Sequence, residues 1–124
     1  MELNEFFKSY VDTEEDPVFI CDKDMRIIYL NSVAASKYSE YGGYNIIGKH
    51  LDVFLDIETK SKTDMIIEWF KESKENNSVF AFRYENVNMD VYVTALRNDK
   101  GEFIGFCNKC RSRVPDTNDP YNID

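Results

Sequence analysis

The sequence lacks any hydrophobic run approaching the roughly 20 apolar residues that a membrane-spanning helix needs. Its start, MELNEFFKSY, is acidic and amphipathic, and it lacks the basic segment followed by an apolar core that marks a secretory signal. Only three cysteines are present, and such an odd number does not build a disulfide framework. These absences lead us to expect a cytoplasmic protein with reduced thiols and no membrane attachment.

Positive charge is also scarce, because 15 lysines and arginines stand against 23 aspartates and glutamates and give a net charge of −8. Nucleic acids and anionic lipid surfaces both attract basic surfaces. We therefore expect neither nucleic acid nor a membrane among the partners. With 124 residues, of which 43% are hydrophobic, the chain is long enough to bury the core of one domain.

Histidine occurs once, as His50, so the chain lacks the second histidine or suitably placed cysteine of the usual transition-metal site. No sequence motif indicates a serine that would be the partner of His50 in a catalytic triad. Cys107 and Cys110 form a CxxC motif, but they lie in a predicted strand, where residues three apart point to opposite faces. Side chains on opposite faces are badly placed to form a disulfide or to bind one metal ion together. A redox role for either thiol stays open. We predict no metal site and no catalytic residue.

The first segment of the chain has the period of an amphipathic helix. Its apolar stripe follows the spacing i, i+3, i+4, i+7 and i+8, and consists of Leu3, Phe6, Phe7, Tyr10 and Val11. Such a stripe is expected to cover the domain itself or to meet the same helix of a second copy. Because Pro17 disfavours helix at the residue before it, we divide the chain into residues 1–14 (helix), 15–113 (main domain) and 114–124 (flexible tail).

Residues 16–31, DPVFICDKDMRIIYLN, contain two short apolar runs on either side of a polar turn with Asp22 and Asp24. This pattern predicts a β-hairpin. Aspartates in such a turn normally accept hydrogen bonds from the backbone, so we do not interpret them as paired catalytic carboxylates. Asn31 is then placed to cap the predicted helix of residues 32–41.

The middle of the chain predicts further helical structure. Residues 44–55 are apolar and interrupted by Gly48, which indicates one or two brief helical turns. Residues 61–64 match a capping box before an apolar run, so we expect a long helix from there to about residue 76.

The last third changes to the period of β-strands and predicts three of them, at residues 79–85, 89–97 and 103–109. Strict alternation places Phe80, Phe82 and Tyr84 on one face of the first strand. Gly101 lies in the turn between the last two strands, where a positive φ is available to glycine. The second strand is apolar on both faces, so we expect both faces of the sheet to be covered.

Three of these segments resemble the motifs of PAS domains. They are the opening hairpin ending in Asn31, the IIGK of residues 46–49, and the VTALRNDKGEFIGF of residues 93–106, with Gly101 and Gly105 at matching glycines. The resemblance implies an α+β fold, in which a five-stranded antiparallel sheet of order 2-1-5-4-3 carries helices on one face. It also implies a sensory module that binds a small molecule or a protein partner and is often a homodimer.

The resemblance covers residues 15–111, and the chain departs from the family pattern at its end. Residues 110–113, CRSR, replace the Asp-Ile-Thr-like sequence that usually passes the signal onward, and no effector region follows. We therefore expect signalling in trans, to a separate kinase or regulator. Haem-binding members carry a histidine on the long helix and flavin-binding light sensors carry an Asn-Cys-Arg-Phe-like motif. Neither is found in this sequence, so no cofactor is evident.

A ligand pocket would lie between the sheet and the helices, where a few inward polar groups among apolar ones can orient a small molecule. The side chains that we expect to line it are Tyr38, Leu51, Phe54, Ile66, Trp69, Phe70, Phe82, Tyr92, Thr94 and Asn108. Two alternatives to a sensor stay open, a dimerisation module with a filled core and a small α+β enzyme. An internal cavity would distinguish the sensor from the filled module, and an enzyme would need an inward carboxylate or histidine. We expect a non-enzymatic protein.

Overall fold

The computed structural model describes residues 2–122, so the first residue of the expected helical segment and the last two of the expected tail lie outside the described residues. The helices are α1 (Leu3–Asp12), α2 (Ser32–Lys37) and α3 (Ile57–Glu72). The strands are β1 (Val18–Asp22), β2 (Ile27–Leu30), β3 (Ser78–Tyr84), β4 (Met89–Arg97) and β5 (Phe103–Ser112). Short 3-10 turns lie at Ser39–Tyr41, Gly43–Ile46, Leu51–Val53 and Glu85–Val87. Within residues 2–122 no helix combines the length and apolar character that crossing a membrane requires.

The five strands form one antiparallel sheet in the order β2-β1-β5-β4-β3, which confirms the α+β architecture expected from the sequence. The core lies between one face of this sheet, here called the inner face, and the helices α2 and α3. Its buried members include Phe19, Cys21, Leu30, Ala34, Ile46, Leu51, Ile67, Phe70, Val93 and Phe106. The opposite, outer face is not covered by α2 or α3.

Asn31 connects three elements and is completely buried. Its side-chain oxygen accepts hydrogen bonds from the backbone N–H groups of Ala34, at 2.9 Å, and Val18, at 3.1 Å. The amide nitrogen donates to the carbonyl oxygen of Asp16 at 3.0 Å. The predicted cap of α2 is confirmed, and the same side chain fixes the chain between α1 and β1.

The hairpin turn and Gly101 adopt the geometry that the sequence predicts, and the structure adds a constraint at two further glycines. Asp22 accepts hydrogen bonds from the N–H groups of Asp24 and Arg26, as expected for a turn aspartate. Gly48 and Gly101 have φ values of +93° and +81°. At Gly105 a Cβ atom would overlap the carbonyl oxygen of Cys21, so the close approach of β5 to β1 requires glycine there.

The boundaries of α3 differ from the prediction. Asp56, and not Ser61, caps the helix, because the Asp56 carboxylate accepts the N–H of Thr59 at 2.7 Å. The helix ends at Glu72, several residues earlier than expected. The helix α2 is also shorter than predicted, since a 3-10 turn replaces its last residues.

A β-bulge in β3 corrects the prediction that Phe80 and Phe82 share a face. Phe80 pairs with Tyr92 and Phe82 with Val91, so Ala81 is an extra residue between the two pairs. Phe80 consequently lies on the outer face and is 46% exposed, whereas Phe82 packs against the core. The bulge therefore reverses the side-chain alternation along β3.

Candidate functional site

An open groove lies between the end of α2, the start of α3 and the end of β3. Its volume is about 380 Å³, and it is lined by Lys37, Tyr38, Phe54, Leu55, Asp56, Thr59, Tyr84, Asn86 and Val87. A void of about 40 Å³ lies at its inner end, and several of the same side chains border both spaces. A void of that size holds little more than one water molecule. The interior is therefore nearly filled, and the space for a ligand is in the groove.

Half of the predicted pocket residues are found here. The groove and the void are lined by five of them, Tyr38, Leu51, Phe54, Phe82 and Asn108. Ile66 and Phe70 are buried in the core but border neither space. Trp69 is 38% exposed, because the buried side of α3 passes through Ile66, Ile67 and Phe70, so its prediction as a pocket residue is wrong.

Tyr92 and Thr94 do not line the groove, because they lie on the outer face of β4. The ring of Tyr92 stacks on Phe80, at 5.3 Å between centroids, and the Thr94 hydroxyl lies 3.4 Å from that of Ser78. The inward residues of β4 are Val91 and Val93. The expectation that polar groups of this strand point into the core is therefore wrong.

The inner end of the groove, here called the neck, is formed by Lys37, Tyr38, Tyr84 and Asn108. The Lys37 ammonium lies 5.5 Å from the centroids of both tyrosine rings and 3.9 Å from the sulfur of Cys110. Burial raises the pKa of Tyr38 and that of Tyr84 above the ordinary value. Both hydroxyls therefore stay protonated at neutral pH and can donate hydrogen bonds.

The outer wall of the groove contains one carboxylate, that of Asp56. The N–H of Thr59 donates to it and holds its pKa below the ordinary value. This carboxylate is thus charged at neutral pH and already serves as the cap of α3. The sequence pattern Asp-x-x-Thr at residues 56–59 could have indicated the true start of α3.

The sequence did not identify seven of the groove residues, namely Lys37, Leu55, Asp56, Thr59, Tyr84, Asn86 and Val87. They come from the ends of three separated elements, and only the fold brings these ends together. The spacing of residues along the sequence does not show which of these ends meet in the fold.

A second surface lies on the outer side of the sheet. Four side chains of α1 are between 56% and 67% exposed, namely Leu3, Phe6, Phe7 and Tyr10, and no residue of this helix is buried. An apolar groove of about 330 Å³ separates α1 from the sheet and includes Val11, Ile20 and Ile28. The helix is fastened at its end, where the Tyr29 hydroxyl donates to Asp12 at 2.6 Å. In the single chain its apolar stripe is thus left in contact with water.

Cys107 and Cys110 lie on opposite faces of β5, and His50 lies just before the 3-10 turn of Leu51–Val53. Cys107 pairs with Ile20, and Cys110 lies on the opposite, inner face beside Lys37, as the alternation of a strand predicts. Burial raises the pKa of Cys107 to about 11 and also raises that of Cys110, which disfavours both thiolates.

His50 accepts the N–H of Asp52 through Nδ1 at 3.1 Å. Among the described residues no cluster of three or more potential ligands is arranged to hold a metal ion.

A larger depression, of about 440 Å³, lies at the other end of α3 beside Lys71, Lys74 and Arg97. Three of its four cations have partners among the described residues, whereas the fourth, Lys23, is exposed and has none. Lys74 donates to the carbonyl oxygen of Lys100 at 3.3 Å, Lys71 pairs with Glu68 at 3.7 Å, and Arg97 binds several carbonyl oxygens. We therefore regard the groove at the start of α3 as the better candidate site, although it is smaller.

Solved structures of PAS domains are similar to this chain. The PAS domain of BvgS from Bordetella pertussis superposes with a TM-score of 0.67 at 15% identity, over 90% of this chain and 87% of that domain. A PAS domain from Colwellia psychrerythraea gives 0.61 at 14% identity, over 90% and 97%. A PAS domain from a two-component sensor histidine kinase gives 0.54 at 16% identity, over 89% and 96%. The sequence matches no protein-family model and no curated protein. From the sheet order, the position of the helices and these similarities, we conclude that the chain has the PAS fold.

Proposed function

We propose that the chain is a PAS-type sensory module that binds a small molecule in the groove, works as a homodimer and signals in trans to a separate kinase or regulator. The observation that carries this proposal is the open groove between α2, α3 and β3, whose volume of about 380 Å³ is typical of a site for a small ligand. The occurrence of a similar PAS domain in a sensor histidine kinase supports the signalling role. The proposal includes no catalysis, and the carboxylate among the described groove residues, Asp56, serves as the cap of α3.

A route for the signal leads from the groove to the end of β5. Asn86 and Val87 form one wall of the groove and lie beside Glu85 and Asn88. Arg113, directly after β5, donates to the Glu85 carboxylate at 3.2 Å, and its N–H donates to the Asn88 carbonyl oxygen at 2.8 Å. A ligand that draws this wall toward α3 would therefore move the segment after β5. Ligand and partner would select between two packings of the module.

Dimerisation is proposed through α1 and the outer face of the sheet. The exposed stripe of α1 lies next to exposed apolar side chains of the sheet, among them Ile28, at 52% exposure. Two copies related by a twofold axis could bury both surfaces at once, because each copy supplies the same helix and the same sheet face. The occupant that we propose for this surface is a second copy of the chain.

Replacing Phe6 and Phe7 by glutamate tests the dimer. We expect the double variant to be monomeric in analytical ultracentrifugation, because two charges would have to be buried at the interface. The control is Ser9→Glu, which adds a carboxylate to the polar side of the same helix and should leave the dimer intact. A double variant that stays dimeric would show that α1 is not the interface, and a monomeric wild-type protein would refute the dimer itself.

A filled-core interaction module without a ligand is the second candidate, and the void of only about 40 Å³ favours it. The mass of freshly purified protein, measured under native and then denaturing conditions, distinguishes the two functions. A native excess per subunit that disappears on denaturation indicates a bound small molecule. Equal masses, together with no shift of the groove resonances in a small-molecule screen, would favour the filled module.

A further inference from the structure

The ammonium of Lys37 at the neck of the groove lacks an anionic partner. No carboxylate in the part of the chain that the structure describes lies within ion-pairing distance of it, although the sequence has 23 acidic residues. Its neighbours are the two tyrosine rings and the Cys110 sulfur, which is buried. The cation of this exposed lysine therefore lies beside the two rings without being neutralised.

The other polar groups at the neck are hydrogen-bond donors with unused capacity. The hydroxyls of Tyr38 and Tyr84 and the side-chain amide of Asn108 make no hydrogen bond to any of residues 2–122. Water can reach these groups, since Tyr84 is 39% exposed and none of the three is among the buried unpartnered atoms of the described residues. An ammonium, two hydroxyls and an amide together form a set of donors that an anionic oxygen would satisfy.

Charge is distributed unequally along the groove. Among the described residues, Lys37 is the only charged one that lines the inner void, whereas Asp56 carries a negative charge at the outer wall. The walls between them include the apolar side chains of Phe54, Leu55 and Val87. This arrangement favours one negative charge at the neck, and it opposes a second negative charge on the part of a ligand that reaches the outer wall.

We infer that the groove binds a small organic monocarboxylate, with its carboxylate at Lys37 and the hydroxyls of Tyr38 and Tyr84, and its apolar body against Phe54, Leu55 and Val87. The inference rests on the proposed function, since it names the class of ligand for the same groove. Ion pairing provides the selectivity, because a neutral amide of the same shape can accept a hydrogen bond from the ammonium but has no negative charge to pair with it.

The test compares phenylacetate with its neutral isostere phenylacetamide, each titrated into the full chain and followed by nuclear magnetic resonance. We expect the wild-type protein to prefer phenylacetate by about tenfold, with resonance shifts at the neck. Lys37→Met should remove most of this preference, whereas Lys37→Arg, which keeps the cation, should retain it. Lys71→Met is the control, because it removes the same charge near the other end of α3.

Each contrary outcome has a separate meaning. Equal binding of both compounds would overturn the carboxylate inference and leave the groove as a ligand site. Phenylacetate binding that is unchanged in Lys37→Met would overturn the role of Lys37. Absence of binding by both compounds at millimolar concentration would also overturn the inference. In that case, a native mass excess of a different chemical class would still support the proposed function.

Discussion

The two ends of α3 are built differently, although each lies beside an open depression with a cation. At the C-terminal end, which we call the closed end, the Arg97 guanidinium donates to the carbonyl oxygens of Phe70, Ser73 and Asn76 at 2.8 to 3.1 Å. At the N-terminal end, the open end, the ammonium of Lys37 has no anionic partner among the described residues. This difference indicates that a cation beside a cavity marks a ligand site only where its N–H groups do not already donate to acceptors of the protein.

The largest effect on stability is expected at the closed end. Arg97→Met would leave three carbonyl oxygens without their donor and should lower the free energy of unfolding by about 3 kcal/mol, measured by urea denaturation. Arg97→Lys is the control, because it keeps the charge but cannot reach all three oxygens, and it should recover less than half of the loss. A loss below about 1 kcal/mol for the methionine variant would remove the distinction between the two ends.

A second prediction concerns Gly105, which pairs with Leu96 next to Arg97. Gly105→Ala should cost about 2 kcal/mol, since the new Cβ would overlap the carbonyl oxygen of Cys21 and force β5 away from β1. Gly48→Ala is a matched control without overlap, because no atom lies within 4 Å of its Cβ position. Its positive φ alone should cost about 1 kcal/mol. Equal losses in the two variants would show that strand approach is not the constraint at Gly105.

The smallest effect on stability is expected at the open end. Lys37→Met and Tyr84→Phe should each change the free energy of unfolding by less than about 1 kcal/mol. The exposed Lys37 ammonium has only ring contacts and the Cys110 sulfur at 3.9 Å, and the Tyr84 hydroxyl makes no hydrogen bond to a described residue. The same urea denaturation measures this. A loss of 2 kcal/mol or more in either variant would mean that the neck serves stability and not ligand binding.

The sequence predicted the elements well because their signals are local. The stripe of α1, the hairpin, the cap at Asn31 and the turn at Gly101 all depend on residues near one another or on a familiar motif. The face of β4 could not be predicted, since both of its faces are apolar and a period of two does not say which one is inward. The bulge at Ala81 likewise broke an alternation that the sequence presents as continuous.

The candidate site was predicted only where it overlaps the core. Tyr38, Leu51 and Phe54 belong to apolar patterns and were found on that basis. Lys37 was not found, because a lysine at the end of a helix is ordinary in sequence. Its significance comes from the two tyrosine rings that hold it and from the absence of a carboxylate within ion-pairing distance among the described residues. That information exists only in three dimensions.

Amide hydrogen exchange along α3 tests the central comparison most directly, because it reports the local opening free energy of both ends in one experiment. We expect residues 69–72, next to the Arg97 contacts, to open only with a free energy close to that of global unfolding. Residues 60–63, beside the groove, should open with about 2 kcal/mol less and should become more protected when phenylacetate is added. Equal protection at both ends, or greater protection at the groove in the absence of ligand, would contradict the assignment of a closed structural end and an open functional end.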